Sequence, residues 1–300
     1  MLLKELLKAY GWTVSVATPN FNHVIRATEE GQGYVLVVDD TPDAPSAVSL
    51  RKLLTHPLTA LMPTLVFHLE SNKSEKETLP RIGAPVIVPK PMTPSSFVPG
   101  FLSVLRIWDQ PPLLQLRQAS YFLTAGQTEA FEKALTQLTQ LPSTGPLAAI
   151  ALAAHYRQPA IGNVKQAESI LISALKQHSK HLGLMLSLGD LYMHVAMPKL
   201  AHRLFLAART IFGNRALVML PDLVQSHIML GQNEEALKLL DFLWRNDFMT
   251  HESLFLMSKL LIAEGRMSDA ERILGENKGL YRKFQIAWDQ EAKPTSGSAA

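Results

Sequence analysis

Hydrophobic and polar positions follow two different patterns in the two halves of the chain. From about residue 113 to 291, apolar residues recur at the spacing i, i+3, i+4 and i+7, as in EEALKLLDFLW and SDAERILGEN. This spacing places them on one face of a helix. The first hundred residues instead alternate helical stretches with short, continuous apolar runs, YVLVVDD, PTLVFHLE and APVIVPKP. Such alternation predicts a parallel sheet covered by helices, followed by an all-helical region.

The helical half repeats itself with a nearly constant period. Equivalent positions are separated by 36, 34, 35 and 34 residues, and they are Phe131, Ala167, Ala201, Ala236 and Ala270. Five residues before each of them stands the residue expected in a turn, which gives Gly126, Gly162, Ala196, Gly231 and Gly265. We expect Gly189 and Ala201 to let two helices approach closely, with Tyr192 and Phe205 filling the space beside them. The pattern predicts five helical hairpins.

The central hairpin carries a more specific resemblance. Its spacing of Leu188, Gly189, Tyr192, Ala201, Phe205 and Ala208 resembles the tetratricopeptide repeat, a unit of about 34 residues, over 113–291. In that family the first helix of each hairpin lines a concave groove. The resemblance therefore implies a partner-binding groove formed by Leu116, Ser120, Leu152, Tyr156, Leu186, Asp190, Met193, Gln225, Ile228, Phe255 and Lys259.

The predicted groove is mostly apolar, with a few polar points. The basic and amide residues with which some family members clamp a terminal carboxylate do not occupy these positions. An apolar groove suits an amphipathic helix or peptide of a protein partner. Packing within the chain, or a homodimer, is an equal alternative.

The first half resembles the response-regulator receiver domain over about 1–106. This resemblance implies a flavodoxin-like parallel sheet, in which an aspartate ending the third strand accepts a phosphoryl group. Asp39 matches that acceptor, Asp40 is a rival one residue along, and Lys90–Pro91 match the family's Lys-Pro. His68 stands where the family has a hydroxyl residue.

The family's acidic first strand, which is central in the 2-1-3-4-5 sheet order, is missing here. Either the domain is a degenerate receiver, or the strand lies upstream of Met1. Since that strand supplies the ligands of Mg²⁺, a conventional magnesium site is not expected, and we expect no cofactor unless the receiver is active. The alternative interpretation of Asp39 and Asp40 is a solvated strand end.

Three segments follow from these patterns: a receiver-like domain at 1–110, a helical-repeat domain at 111–291 and a disordered tail at 292–300. Pro111 and Pro112 form a short, stiff joint. We therefore expect the helix near 94–107 to be partly buried against the first repeat near 113–116. The residues expected on that buried face are Phe97, Phe101, Leu105 and Trp108.

Composition narrows the class of protein. The chain of 300 residues has 47% hydrophobic and 18% charged residues, a formal net charge of +3 and no cysteine. These values favour globular domains and argue against a nucleic-acid-binding protein, and cysteine-free composition fits the cytoplasm. No apolar run is long enough for a membrane span, and charges interrupt any signal-peptide core. His178, His181, His194 and His202 lack accompanying cysteines, so we expect no metal site.

The sequence thus predicts a non-enzymatic signalling scaffold of the kind found in bacteria. A repeat domain would bind a protein partner, and a degenerate receiver would serve for docking or regulation. The first alternative is a two-component response regulator whose phosphorylated receiver gates the repeats. A hydrolase or transferase is a third alternative, but no convergent set of polar residues indicates its site.

Overall fold

In a computed structural model, the parts of the chain that can be described are residues 5, 7–8, 21–30, 35–39, 51–68, 86–91, 93–213, 219–245, 249 and 251–276. The sequence also predicts a strand at 12–17 (WTVSVAT) and a closing helix at 280–290 (LYRKFQIAWDQ). Both segments, the tail and Asp40 lie outside the described residues. None of the described helices is long and apolar enough to cross a bilayer.

The first half contains the predicted parallel sheet. Its strands β1 (Leu36–Asp39), β2 (Thr64–His68) and β3 (Val86–Pro89) pair in the order β1-β2-β3, with Val38 opposite Val66 and Phe67 opposite Val88. Every residue of β2 is buried, as expected for a central strand made only of TLVFH. Helix α1 (Phe21–Glu29) precedes β1, residues 51–54 are helical, and the short helix α2 (Pro57–Ala60) leads into β2.

Helix α3 (Pro94–Trp108) follows β3 and covers the sheet. It begins at a capping box in which Thr93 accepts from the backbone N–H of Ser96 (3.2 Å). The Phe97 ring stacks with those of Phe67 in β2 and Phe101, at centroid distances of 5.8 and 5.5 Å. Phe97, Phe101 and Trp108 are buried, and Leu105 is partly buried. Helix α3 contacts β2, β3 and the first repeat helix α4, and the expected burial of these four residues against the first repeat stays a prediction.

The second half consists of paired helices. The bounds are α4 (Leu113–Thr124), α5 (Thr128–Leu138), α6 (Gly145–Tyr156), α7 (Val164–Gln177), α8 (Leu182–His194), α9 (Pro198–Phe212), α10 (Leu220–Met229), α11 (Asn233–Arg245), α12 (His251–Ala263) and α13 (Met267–Glu276). Each first helix packs against the second helix that follows it, which gives five hairpins in the described residues. The sequence predicts at least four such hairpins in one right-handed array; the pairing of helices is observed, and the array stays a prediction.

The turn inside each hairpin has the backbone conformation that its sequence position predicts. All five residues have positive φ: 72° at Gly126, 61° at Gly162, 56° at Ala196, 71° at Gly231 and 74° at Gly265. In four of the turns the next backbone N–H donates to the carbonyl five residues earlier, as from Met197 to Tyr192 (2.8 Å) and from Gln232 to His227 (2.9 Å). This bond ends the first helix and reverses the chain.

The reference residues of the repeat lie in the hairpin cores. Phe131, Ala167, Ala201 and Ala236 are fully buried, and Ala270 is 2% exposed. The expected close approach at Gly189 is also present, because a Cβ at that position would stand 2.3 Å from Cε1 of Phe205. Glycine is therefore required at Gly189 by the Phe205 ring, which fills the crossing of α8 and α9.

The chain forms two compact units, unit 1 (1–219) and unit 2 (220–300). Unit 1 contains the sheet and the first three hairpins, and unit 2 contains the last two. The mixed α/β and helical composition predicted from the sequence is confirmed at this level. The boundary predicted near residue 110 stays a prediction.

Candidate functional site

The predicted groove positions lie on the first helices of the hairpins. We call the side of these helices that carries them the first-helix face. In unit 1 its apolar members are buried, with Leu116 at 0%, Leu186 at 1% and Leu152 at 2% exposure. Its other members in that unit are partly exposed: Ser120, Tyr156, Asp190 and Met193.

The chain itself covers this face in unit 1. Helix α2 packs against α4 and α6, and its four residues are all buried. The neighbouring Leu61 is 0% exposed and Leu58 is 4% exposed. Burying a leucine side chain contributes about 1.5–3 kcal/mol, so this segment is a substantial part of the core of unit 1. Of the occupants that the sequence left open, packing within the chain is the one observed here.

An ion pair joins the same segment to the third hairpin. Arg51 donates from Nε to Asp190 Oδ2 (3.4 Å), and its NH2 group contacts Asp190 Oδ1. The two side chains are only 15% and 17% exposed, so the pair is largely withdrawn from water. This bidentate geometry fixes the position of the covering segment on α8.

A second guanidinium lies close to this pair. Burial lowers the pKa of Arg157, the charge of Asp190 raises it, and the charge of Arg51 lowers it again. Asp190 thus lies within the electrostatic reach of two arginines, one from the sheet-bearing half and one from the end of α6. The first-helix face of unit 1 is therefore both covered and charge-compensated by its own chain.

The sequence indicates that the first helices of unit 1 are covered by another segment, but it does not indicate which residues cover them. Ten of the twelve residues of α6 are buried, as are ten of the thirteen in α8. Both helices, GPLAAIALAAHY and LGLMLSLGDLYMH, are apolar almost all the way round. A helix of that kind needs a neighbour on every side. Arg51, Arg157 and residues 57–61 were not identified from the sequence, because nothing local connects them with the repeats.

In unit 2 all four predicted positions are partly exposed, as Ser120, Tyr156, Asp190 and Met193 are in unit 1. They are Gln225 and Ile228 on α10 and Phe255 and Lys259 on α12. The Lys259 Nζ lies 4.4 Å from the centroid of the Phe255 ring, so these two residues occupy one side of α12. The second helix α11 packs against both α10 and α12, which stacks the two hairpins of this unit.

Consecutive hairpins of unit 1 are joined by a repeated polar contact that sequence reasoning missed. The Tyr192 hydroxyl donates to Glu168 Oε1 (2.8 Å). One repeat earlier, Glu132 is the partner of both Tyr156 and His155, and His155 Nε2 lies 3.2 Å from Glu132 Oε1. Each glutamate directly follows a reference residue of the repeat. Burial and the glutamate raise the pKa of each tyrosine to about 12. Both hydroxyls therefore stay protonated donors at neutral pH.

The receiver-like positions come together at the carboxyl edge of the sheet. Lys90 Nζ lies 2.5 Å from Asp39 Oδ1, and the side chain of Asp39 is 63% exposed. His68, at the end of the strand between them, is 2% exposed, and its carbonyl accepts from the backbone N–H of Lys90 (2.8 Å). Pro91 follows as an exposed residue. An exposed carboxylate beside an ammonium is an accessible nucleophile, and it is equally a solvated ion pair.

His181, one of the histidines considered as metal ligands, has a structural role at the start of α8. The Nδ1 atom of His181 caps α8 by accepting from the backbone N–H of Leu184 (3.3 Å). Burial, and then the neighbouring His178, lower the pKa of His181 to about 4. Within the described ranges, no group of three or more His, Cys, Asp or Glu residues is placed to hold a metal ion.

No protein-family model matches this chain, and no curated protein is significantly similar to it in sequence.

Proposed function

We propose that this chain is a non-enzymatic adaptor that binds a protein partner through tetratricopeptide-like hairpins. Five hairpins share one register of buried reference residues and positive-φ turns, which supports the assignment of a repeat solenoid. The parallel sheet, with Asp39 and Lys90 paired at its carboxyl edge, supports the assignment of a receiver-like module.

One observation carries the location of the binding surface. The apolar positions Leu116, Leu152 and Leu186 of the first-helix face are buried in unit 1, whereas Phe255, which stands at the position of Leu186 relative to its turn, is partly exposed in unit 2. Unit 2 therefore offers apolar and polar groups for a partner, and unit 1 uses the same groups for its own stability. In this proposal the sheet-bearing half acts as a structural and docking module of the adaptor.

Site-specific photo-crosslinking tests this function. A benzophenone amino acid replaces Ile228 or Phe255 in the full chain expressed in cells, and the control replaces Leu206, which is 39% exposed on the second helix α9. We expect a discrete crosslinked protein from both first-helix positions and none from Leu206. The proposal fails if Leu206 alone gives the product, or if neither first-helix position does.

A phosphorylation-controlled regulator is the second candidate, favoured by the exposed Asp39 carboxylate beside Lys90. Its test is incubation with acetyl phosphate and Mg²⁺, followed by assay of hydroxylamine-labile acyl phosphate on wild type and Asp39→Asn. The adaptor proposal expects no difference in incorporation, in small-angle scattering or in partner affinity. Incorporation that the Asp39→Asn variant abolishes, together with a change in partner affinity, would establish the regulator instead.

A further inference from the structure

The turns inside the second and third hairpins of unit 1 carry exposed apolar side chains. Ile161 directly precedes the turn residue Gly162 and is 38% exposed, and Met197 directly follows the turn residue Ala196 and is 49% exposed. Leu200, in the first turn of α9, is 39% exposed. Single exposed apolar residues are ordinary on a protein surface, so their meaning depends on where they lie and which charges surround them.

These two turns lie at the same edge of unit 1. The hydroxyl of Tyr192, four residues before Ala196, donates to Glu168, six residues after Gly162 (2.8 Å). The end of α8 that leads into its turn therefore stands beside the start of α7, which follows the other turn. Since packed helices lie about 8–10 Å apart, the two turns present their apolar side chains singly and side by side.

The charged side chains at these turns are positive. Lys165 and Lys199 each stand three residues after the turn residue, and both are exposed. Arg203 is exposed one helical turn after Lys199. In the part of the chain that the structure describes, none of these three cations is paired with a carboxylate. No Asp or Glu occurs within four residues of Gly162 or Ala196.

The turns of the other three hairpins lack this combination. They too carry exposed apolar residues, such as Phe122, Met229 and Met267. Each of them, however, has at least one carboxylate within four residues of its turn residue. These carboxylates are Glu129 in the first hairpin, Glu234 and Glu235 in the fourth, and Glu264 and Asp269 in the fifth. Apolar exposure is therefore common to all five turns, whereas positive charge without carboxylates distinguishes two neighbouring ones.

We propose that the edge of unit 1 formed by these two turns docks on the surface of an anionic lipid bilayer. This surface, the basic turn edge, consists of Ile161, Lys165, Met197, Lys199, Leu200 and Arg203. Its apolar side chains enter the boundary between headgroups and acyl chains, and its cations bind the anionic headgroups. Interfacial binding strength scales with these two contributions, apolar burial and attraction to anionic lipid.

A lipid surface fits the basic turn edge better than a protein partner does. A protein partner needs a contiguous complementary surface, whereas a bilayer deforms around apolar side chains that stand singly on separate turns. The long side chains of Lys165 and Lys199 can extend to headgroups while their methylene groups stay beside the apolar residues. This inference goes beyond the proposed function and does not depend on it, because the first-helix face takes no part in the docking.

Cosedimentation of the full chain with vesicles tests the docking. One set of vesicles contains phosphatidylcholine alone, and the other contains equal amounts of phosphatidylcholine and phosphatidylglycerol. The charge variant combines Lys165→Glu with Lys199→Glu, and the apolar variant combines Ile161→Ser with Met197→Ser. Thermal melting of each variant verifies that it is folded.

Matched controls lie at the opposite end of the hairpins. Lys176→Glu with Lys180→Glu makes the same change in net charge, at exposed positions in the last turn of α7 and in the connection that follows it. Leu141→Ser with Ile211→Ser removes two exposed apolar side chains, from the connection after α5 and from the last turn of α9.

We expect wild type to bind the mixed vesicles at least about tenfold more strongly than phosphatidylcholine alone. The charge variant should lose about tenfold or more in partition coefficient, because two attractions become repulsions, and the apolar variant should lose about fivefold. Both control variants should stay within about twofold of wild type.

Failure of wild type to bind the mixed vesicles, or equal losses in the turn variants and their controls, would overturn the docking. A discrete protein crosslinked by a benzophenone amino acid at Met197, without vesicle binding, would assign the basic turn edge to a protein partner and overturn the lipid assignment. Crosslinking from Ile228 and Phe255 is measured separately, so the proposed function and this inference can fail independently.

Discussion

The hairpins of unit 1 and unit 2 share their internal design but differ in what happens to the first-helix face. In both units the reference alanines are buried and the turn residues have positive φ. Ten of twelve residues are buried in α6 of unit 1, against five of ten in α10 of unit 2. The repeat register therefore determines that a hairpin forms, whereas the exposure of its first helix depends on what the rest of the chain places on it.

The largest expected effect tests the part that the two units share. Replacing Ala201 in unit 1 or Ala236 in unit 2 with phenylalanine forces a ring into a fully buried helix crossing. Overpacking of this kind costs about 1–3 kcal/mol, and a whole ring in place of a methyl group should reach about 3 kcal/mol or more. Urea unfolding monitored by circular dichroism measures the loss.

Ala207→Phe is the matched control, because Ala207 is exposed on the same helix as Ala201. It should change the free energy of unfolding by less than about 0.5 kcal/mol. If Ala207→Phe is as harmful as Ala201→Phe, the register that relates the two units is wrong.

The second prediction tests the feature in which the units differ. Asp190→Lys places a third positive charge beside Arg51 and Arg157 and removes the anchor of the covering segment. We expect a loss of about 2 kcal/mol, below the range for a fully buried pair because both partners are slightly exposed. Lys259 precedes its turn residue Gly265 by six residues, as Asp190 precedes Ala196. Lys259→Glu should cost less, about 0.5–1 kcal/mol for the lost contact of its ammonium with the Phe255 ring.

The double exchange Arg51→Asp with Asp190→Arg provides the control for this pair. It should recover part of the lost stability, since the attraction is restored with its sign reversed. Equal effects of Asp190→Lys and Lys259→Glu would show that the two faces are not distinguished by their covering.

The hairpin cores, which both units share, could be predicted from the sequence, whereas the covering of the first helices in unit 1 could not. Strands, hairpins, turns and buried reference residues were predicted because each depends on neighbours within one repeat or one strand. Phe131 fits the same rule, because the larger side chain is fully buried with its ring 5.1 Å from that of His155. The Arg51–Asp190 pair joins residues 139 positions apart and depends on tertiary packing alone. The all-round apolar character of α6 and α8 predicts that a cover exists, but it does not identify the cover.

The third prediction concerns pH and belongs to unit 1. His181 has its pKa lowered to about 4 by burial and by His178, whereas an unfolded histidine titrates near 6.5. Between these values the unfolded chain binds the proton more readily, so stability is complete above about pH 6.5 and falls as the pH decreases toward 4. We expect His181 to account for about 1 kcal/mol of this loss at pH 5, allowing for its partial exposure.

Comparison with His181→Asn isolates this contribution from the other histidines. Asparagine can still accept from the N-terminal backbone of α8 but does not titrate in this range. Urea midpoints measured from pH 7 to 4 should therefore fall less steeply in the variant than in wild type. Parallel curves would contradict the assignment.

The smallest expected effect concerns the turns inside the hairpins. Both turns of unit 2 have glycine at the positive-φ position, whereas one turn of unit 1 has Ala196 there. Ala196 has φ 56°, a conformation that is unfavourable for a residue with a Cβ by about 1–2 kcal/mol, whereas glycine adopts it freely. Glycine also gains entropy in the unfolded chain, which offsets part of the benefit, so Ala196→Gly should stabilise the protein by about 0.5–1 kcal/mol.

The reverse change in unit 2, Gly231→Ala, should destabilise the protein by about 1 kcal/mol. No atom lies within 4 Å of a Cβ built at Gly231, so this cost would come from backbone conformation and not from a clash. Thermal and urea unfolding of the two variants should thus show shifts of opposite sign. Shifts of the same sign would mean that the two turns are not equivalent, and that the register shared by the two units ends at the boundary between them.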